Sequence, residues 1–468
     1  MSPTTPQRDE IWTGRIESLA PDGTGIGSSK ERAPDGKTVR RPIFIPLTVP
    51  GDMIKARICG RKGKYRFGET IRILEKSPHR VAPACPHFGI CGGCDLLHIS
   101  YEEQLRQKTR GIEHQLEKAG VPSPVPITVL ASRTRHNYRH RSRIALRFAG
   151  GACVVGFRRR SSREIIPIST CMIVVPEILA LIRALRESDI PAALEGLECE
   201  VLAVIGDKGK LGLLLRFDEI SPQIRPATRE WIEAVYAANR AIIGNVFLEE
   251  DRTIRALGQV QEHLTYEADG ITFAFLPETF IQANIPTNTL LIERAMAMLV
   301  RDRDTTAMQV IDLYAGIGNL TLPIAKRVAH VLGVEGNEAS VLAARANAIR
   351  NRIDNATFLH RSTERYLKDL ITHTQKKNAW KKEHPMFPRA DVIVVDPPRT
   401  GLSPPVQNLL ARTGVERIVY ISCDPLTLAR DLAALAPNYV LKDIVGIDMF
   451  ADISHVEIVC LLERRGAP

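Results

Sequence analysis

A thiol, Cys423 in YISCDP, closes an apolar run and immediately precedes a helical segment, LTLARDLAALA. A thiol beside a helix N-terminus is expected to have its pKa lowered from ~8.5, which raises the fraction present as nucleophilic thiolate. A carboxylate, Glu457 in SHVEIV, opens the last strand-like run, where it can lie across the same cleft as a proton acceptor. Other acids end other apolar runs: Asp312 before YAGIGN, Glu335 in HVLGVEG and Asp396 in DPPRTG. In an open α/β sheet, ligands bind outside the carboxyl ends of the strands, so topology alone brings Asp312, Glu335, Asp396 and Cys423 to one edge.

The run from Asp312 to Asn319 ends a strand and opens a helix, placing glycines where a ligand must approach the backbone. It is not the dinucleotide fingerprint, because Thr321 stands three residues after Gly318 where that motif needs glycine. Glu335, about twenty residues on, is placed to accept from ribose hydroxyls. This pattern looks like an S-adenosylmethionine-dependent methyltransferase more than a dehydrogenase. A Cys and a carboxylate beside a methyl donor fit one chemical problem. C5 of a pyrimidine is too weak a nucleophile to attack a methyl sulfonium, but thiolate addition at C6 makes C5 nucleophilic. A general base must then remove the C5 proton so that the thiolate can leave. Cys423 and Glu457 fill these two roles.

The elements that must position these residues follow from the pattern of apolar runs. Residues 1–75 carry short β segments separated by Gly, Pro and Asp turns, predicting a small OB-like barrel, with Lys62, Lys64, Tyr65, Arg66 and Phe67 interleaving charge and aromatics. Residues 76–275 hold a cysteine cluster, a helical segment YEEQLRQKTRGIEHQLEKAG, and then mixed β and α, predicting a central α+β domain. From 276 to 468, buried runs alternate with helical segments, predicting a doubly wound, Rossmann-like sheet ending in an antiparallel pair, YVLKDIVGID and HVEIVCLLER. A polar, basic insertion at 372–389 is expected to be a surface loop. The whole is an α/β protein in three parts.

Charge singles out two of those parts. Lys and Arg outnumber Asp and Glu by 63 to 53, yet residues 1–84 alone hold 16 basic and 9 acidic side chains, and residues 131–163 hold ten Arg and no acid. The remainder is net negative. A polyanion is the expected partner of such basic regions, and an acid-free Arg stretch favours nucleic acid over a merely solvated surface. No apolar run approaches the ~20 residues that span a bilayer, and MSPTTPQRDEIW lacks a basic segment followed by an apolar one. The expectation is a cytoplasmic protein with no membrane partner.

Cys85, Cys91 and Cys94 lie within CPHFGICGGCD, whose glycines permit the tight turns that wrap a metal centre. Four thiolates suit either a [4Fe-4S] cluster or tetrahedral zinc. Cys59, Cys153, Cys199 and Cys460 are expected to be packing residues.

TFIQAN (279–284), DLYAGIGNLTLP (312–323), DPPRTG (396–401), YISCDPLTLARD (420–431) and DMFADISHVEIVCLLER (448–464) resemble the successive motifs of the RNA uracil-5-methyltransferase family. The N-terminal part and cysteine cluster resemble its ribosomal RNA branch, which carries a TRAM domain and a [4Fe-4S] cluster. The resemblance implies Cys423 as nucleophile and Glu457 as base. It implies methyl-donor contacts from Gln282, Tyr314, Asn319, Glu335 and Asp396, with a further position at Ser362, where some members have Asp or Asn. It implies Cys171 in ISTCMIV as the fourth cluster ligand, S-adenosylmethionine as cofactor and 23S ribosomal RNA as partner; the chain is expected to be a monomer. Three alternatives compete: a tRNA uridine-5-methyltransferase, an exocyclic-amine methyltransferase, for which Cys423 has no use, and a non-catalytic RNA-binding or chaperone protein, for which the intact Cys423, Glu457, Gln282 and Asp396 have none.

Overall fold

The computed structural model describes residues 10–32, 38–217, 223–258, 263–375 and 390–466, so from residue 376 on the basic insertion lies outside the described residues. The chain begins with β1 (Ile11–Arg15), β2 (Ser18–Leu19), β3 (Gly25–Arg32), β4 (Thr38–Ile45), β5 (Met53–Lys62) and β6 (Tyr65–Glu75). These form one sheet, in the order β1-β5-β6-β4-β3-β2. Along β5 the side chains alternate, so Ile54, Ala56 and Ile58 are buried with Trp12, Ile43 and Ile45. Cys59 falls in the opposite phase and is exposed, which corrects its assignment as a packing residue; Cys153, Cys199 and Cys460 are buried.

Next come α1 (Tyr101–Lys118) and β7 (Val129–Leu130), then β8 (Arg141–Ala149), β9 (Ala152–Arg158), β10 (Ile165–Pro167), α2 (Pro176–Arg186), β11 (Glu198–Ile205), β12 (Leu211–Phe217), α3 (Arg225–Ala238), β13 (Ile243–Glu250) and β14 (Thr253–Ala256). Strands β8 to β14 make a seven-stranded sheet whose core includes Phe148, Trp231 and α2 side chains. The β15 (Leu264–Ala268) and β16 (Ile271–Phe275) hairpin follows.

The third part runs α4 (Ile285–Val300), β17 (Gln309–Leu313), α5 (Thr321–Ala325), β18 (His330–Glu335), α6 (Glu338–Arg350), β19 (Ala356–His360), α7 (Thr363–Gln375), β20 (Val392–Val395), α8 (Pro404–Arg412), β21 (Arg417–Ser422), α9 (Pro425–Leu435), β22 (Tyr439–Ile447) and β23 (Glu457–Arg464). Its eight-stranded sheet has the order β19-β18-β17-β20-β21-β23-β22-β7. The first five strands are parallel, and β23 is inserted antiparallel between β21 and β22. Strands β20 and β21 are buried along their whole length, because separate hydrophobic clusters cover the two faces of the sheet.

One segment packs away from its sequence neighbours. Ile112 and Leu116 of α1, with Ile127 and Val129 near β7, join the core beneath β21 and α9, and β7 adds a strand beside β22. Residues 101–130 thus brace the eight-stranded sheet, although they precede the seven-stranded one in the chain. Among the described residues no helix is long and apolar enough to cross a membrane.

Candidate active site

Strand order reverses at β17, which has β18 on one side and β20 on the other, and a crevice opens at the carboxyl ends of such strands. Tyr314 follows β17 with a φ of 65°, a left-handed conformation that a bulky residue adopts only when its surroundings impose it. Gly316 and Gly318 continue the turn at φ 54° and 92°, where a side chain would be strained. The Glu335 carboxylate, at the end of β18, accepts from the Gly316 N–H (3.0 Å) and the Asn337 N–H (2.7 Å) and so pins the glycine turn.

The opposite side of the crevice is set by β-ladder register. Ser422 of β21 pairs with Ile458 of β23, so the next position faces Cys423 toward Glu457. Both line a cavity of about 1720 Å³, together with Gln282, Tyr314, Glu335 and Asp396. Glu457 is buried, at 5% exposure. Burial, with Asp396 nearby, pushes its pKa up to about 8, opposed by the Arg399 guanidinium. Burial likewise raises Asp396 to about 7.

Cys423 departs from expectation. Burial and the Glu457 charge push its thiol up to about 12, with only Arg399 acting to lower it. The helix N-terminus does not serve the sulfur, because the Asp424 side chain caps α9 by accepting from the Leu426 N–H (2.7 Å) and Thr427 N–H (3.1 Å). At neutral pH the sulfur is therefore a thiol, and Arg399 is the cation that favours its ionisation.

Two expected donor-binding residues lie elsewhere. Asn319 is not on the cavity wall; its carboxamide pairs with that of Asn288 (2.8 and 3.1 Å) and accepts from the Tyr266 hydroxyl (2.9 Å). Ser362 is exposed outside the cavity, at the start of α7, and accepts from the Arg365 N–H. Asp312 is buried beneath the turn, where it accepts from the Thr321 hydroxyl (2.6 Å) and is raised to about 7 by burial. Arg399, Arg141 and Phe280 were not singled out from sequence, yet all line the cavity, and Phe280 is 68% exposed with Arg141 over its ring. The signal for Arg399 and Phe280 lay inside DPPRTG and TFIQAN, where the neighbouring Asp and Gln drew the chemical reading.

Cys85, Cys91, Cys94 and Cys171 line the same cavity. Burial raises the Cys91 and Cys94 thiols, and each is raised further by the charges of the other cluster cysteines. The four cysteines thus share one cavity wall, though among the described residues no group of three or more His, Cys, Asp or Glu side chains is placed to hold a single metal ion.

The Arg-rich stretch is not a free cationic surface. Seven of its ten Arg meet carboxylates contributed by other parts of the chain, among them Arg135 with Asp452, Arg147 and Arg158 with Glu198, Arg159 with Glu164, and Arg160 with Asp95. Arg141 meets no carboxylate among the described residues and is partly buried beside Arg143 and Arg216.

Comparison with known proteins places these observations in a family. The model of the family described as tRNA (uracil-5-)-methyltransferase matches residues 100–465. The 23S rRNA (uracil(1939)-C(5))-methyltransferase RlmD of Aeromonas salmonicida is 34% identical over 466 residues, covering 98% of each chain. The protein of the same description from Vibrio parahaemolyticus is 32% identical over 96% of this chain and 95% of its own. Among solved structures, the Pyrococcus abyssi tRNA (uracil-54, C5)-methyltransferase in complex with S-adenosyl-L-homocysteine superposes with a TM-score of 0.69 at 24% identity, over 96% of this chain and 100% of that one.

Proposed function

Because the chain belongs to the tRNA (uracil-5-)-methyltransferase family and aligns over nearly its whole length with 23S rRNA enzymes, we propose that it methylates C5 of a uridine in 23S ribosomal RNA. The observation that carries the chemistry is the pairing of Cys423 with Glu457 across adjacent strands in one cavity. S-Adenosylmethionine supplies an electrophilic methyl group. Gln282, Tyr314, Glu335 and Asp396 line the space for donor and base, and Asn319 acts from behind by holding Asn288 and Tyr266.

Cys423, its proton released to solvent, adds through sulfur to C6 of the uracil. The C5–C6 π electrons move toward O4, and Arg399 favours the anionic charge that builds in the cleft. After C5 is methylated, Glu457, having released its own proton to solvent and so ionised, takes the C5 proton. The C–H electron pair re-forms the C5–C6 double bond, and the C6–S bond breaks to return the thiolate. A carboxylate raised to about 8 is a stronger base than an ordinary Glu, which suits it to removing a carbon-bound proton.

The N-terminal six-stranded unit is proposed to be a TRAM-type barrel. Tyr65 and Phe67, half-exposed against Phe44 and beside Lys64, give it an aromatic face for unpaired bases. The four cavity cysteines are proposed to hold a [4Fe-4S] cluster: four thiolates on one cavity wall are a donor set that suits it, and the resemblance of the cysteine loop to the ribosomal RNA branch favours it over zinc. The cluster would tie the 85–94 loop to Cys171 and supply cohesion, and no catalytic step needs it. The protein is proposed to act as a cytoplasmic monomer.

Mass spectrometry of ribosomal and transfer RNA from cells with and without this protein tests the function. Loss of one 5-methyluridine from 23S RNA is the expected result. Its loss from tRNA alone would transfer the activity to that substrate, and no loss from either would contradict the proposal.

A further inference from the structure

The segment joining β22 to β23, residues 448–456, carries Glu457 into the cavity and has no regular structure of its own. Its first half is held by α1: buried Asp448 accepts from Lys108 Nζ (2.5 Å) and the Tyr101 hydroxyl (2.7 Å), and Gln104 binds Asp452 from both ends of its carboxamide (2.9 and 3.1 Å). Its second half, next to the base, is held by one residue of the cysteine loop. The Asp95 carboxylate accepts from both the Ser454 hydroxyl (3.1 Å) and the Ser454 N–H (3.3 Å), while the Asp95 and Leu96 N–H groups donate to the Asp452 carbonyl (3.1 and 3.0 Å). Arg160 closes on the other oxygen of Asp95. Asp95 directly follows Cys94, and Ser454 precedes Glu457 by three residues.

We infer that Asp95 is a positioning residue for proton removal: through Ser454 it fixes the strand entry that aims Glu457 at C5, so the cysteine loop governs the last chemical step. This rests on the covalent mechanism proposed above. The argument is one of leverage. Cys423 is fixed by β21 and capped α9, whereas Glu457 is the first residue of β23 and the irregular segment leading into it loses its hydrogen-bond anchor at Ser454 when Asp95 is changed. A base displaced by a fraction of an ångström loses rate steeply, while addition and methyl transfer at Cys423 do not depend on it.

The two halves of the reaction can be read separately. RNA containing 5-fluorouridine at the target is methylated on the Cys423 adduct but has no C5 proton to lose, so its trapping rate reports addition and methyl transfer alone. Ordinary RNA reports the full cycle. Asp95→Asn should trap fluorouridine RNA within about 3-fold of the native rate, yet turn over ordinary RNA ~10–100-fold more slowly, with a denaturant-resistant adduct accumulating on ordinary RNA. Ser454→Ala should shift the same partition in the same direction, and Ser454→Thr, which keeps the hydroxyl, should restore it. A merely structural role would lower trapping and turnover together, and that result, or native turnover by Asp95→Asn, overturns the inference. If native protein traps no fluorouridine RNA, the covalent reading itself falls and the role of Asp95 falls with it.

Discussion

Replacing Glu457 by Gln should make the protein more stable, by an amount that grows with pH. The folded carboxyl titrates at about 8 because of burial, against an ordinary 4.5 in the unfolded chain. Between these values the unfolded state ionises and the folded state does not, so the native residue lowers stability progressively as pH rises through this window. The penalty is small at about pH 4.5 and constant above about pH 8. At pH 7 the unfolded group is about 2.5 units above its pKa, which at ~1.36 kcal/mol per unit is about 3 kcal/mol. Asp396, itself raised to about 7, titrates with Glu457 as a pair, and water reaches the cavity, so a net gain of about 1–2 kcal/mol at pH 7 is the working figure. Urea unfolding of native and Glu457→Gln protein at about pH 5, 7 and 8.5 measures it as a shift in midpoint with unchanged slope. The gain should be near zero at the lowest pH and largest at the highest. A variant no more stable than native, or equally stabilised at every pH, would refute a buried carboxyl held protonated by its surroundings.

Other outcomes follow from the same geometry. Arg141→Gln should weaken RNA binding and flatten its log–log salt dependence by roughly 0.7–0.9 if it meets one phosphate, whereas Arg159→Gln, whose guanidinium is already on Glu164, should leave the slope unchanged; filter binding across a salt series reads both. Asp396→Asn should weaken S-adenosylmethionine binding by ~10–100-fold, the scale of a lost hydrogen bond to a charged group, with RNA affinity preserved, as calorimetry would register. Anaerobically purified protein should carry about four iron and four sulfide per chain, and Cys91→Ser should lower soluble yield more than it alters the methyl-transfer rate of what remains; zinc without sulfide would contradict the cluster.

What could be read from the sequence is what depends on short-range pattern. The alternation of apolar runs with helical segments predicted the parallel strands β17 to β21, and the close spacing of the last two runs predicted the antiparallel β22–β23 pair. The insertion of β23 between β22 and β21, which brings Cys423 opposite Glu457, is a matter of strand order that the spacing of those runs does not encode. Contacts between distant segments left no such trace. The ten-Arg window contains no acid, yet four of its guanidinium groups pair with Glu198, Asp452 and Asp95, which only the fold brings near. The Cys423 pKa was expected to fall on its position before a helix; the competing facts, that Asp424 takes the cap and that two carboxylates share the cavity, are tertiary. Asn319 lies one residue beyond the Gly-x-Gly turn, but β15 and α4 supply the partners that draw its side chain away. Cys59 was an error of phase alone, since the period of two along β5 would have placed it outward.

The central claim is that Cys423 bonds to the uridine and Glu457 releases it. Glu457→Gln mixed with a 23S RNA fragment and S-adenosylmethionine should give a protein–RNA band that survives denaturant, because base loss typically costs ~10²–10⁴ in rate and leaves the methylated adduct to accumulate. Cys423→Ala and the double variant should give no such band and no methylation. Methylation by Cys423→Ala would contradict the account outright.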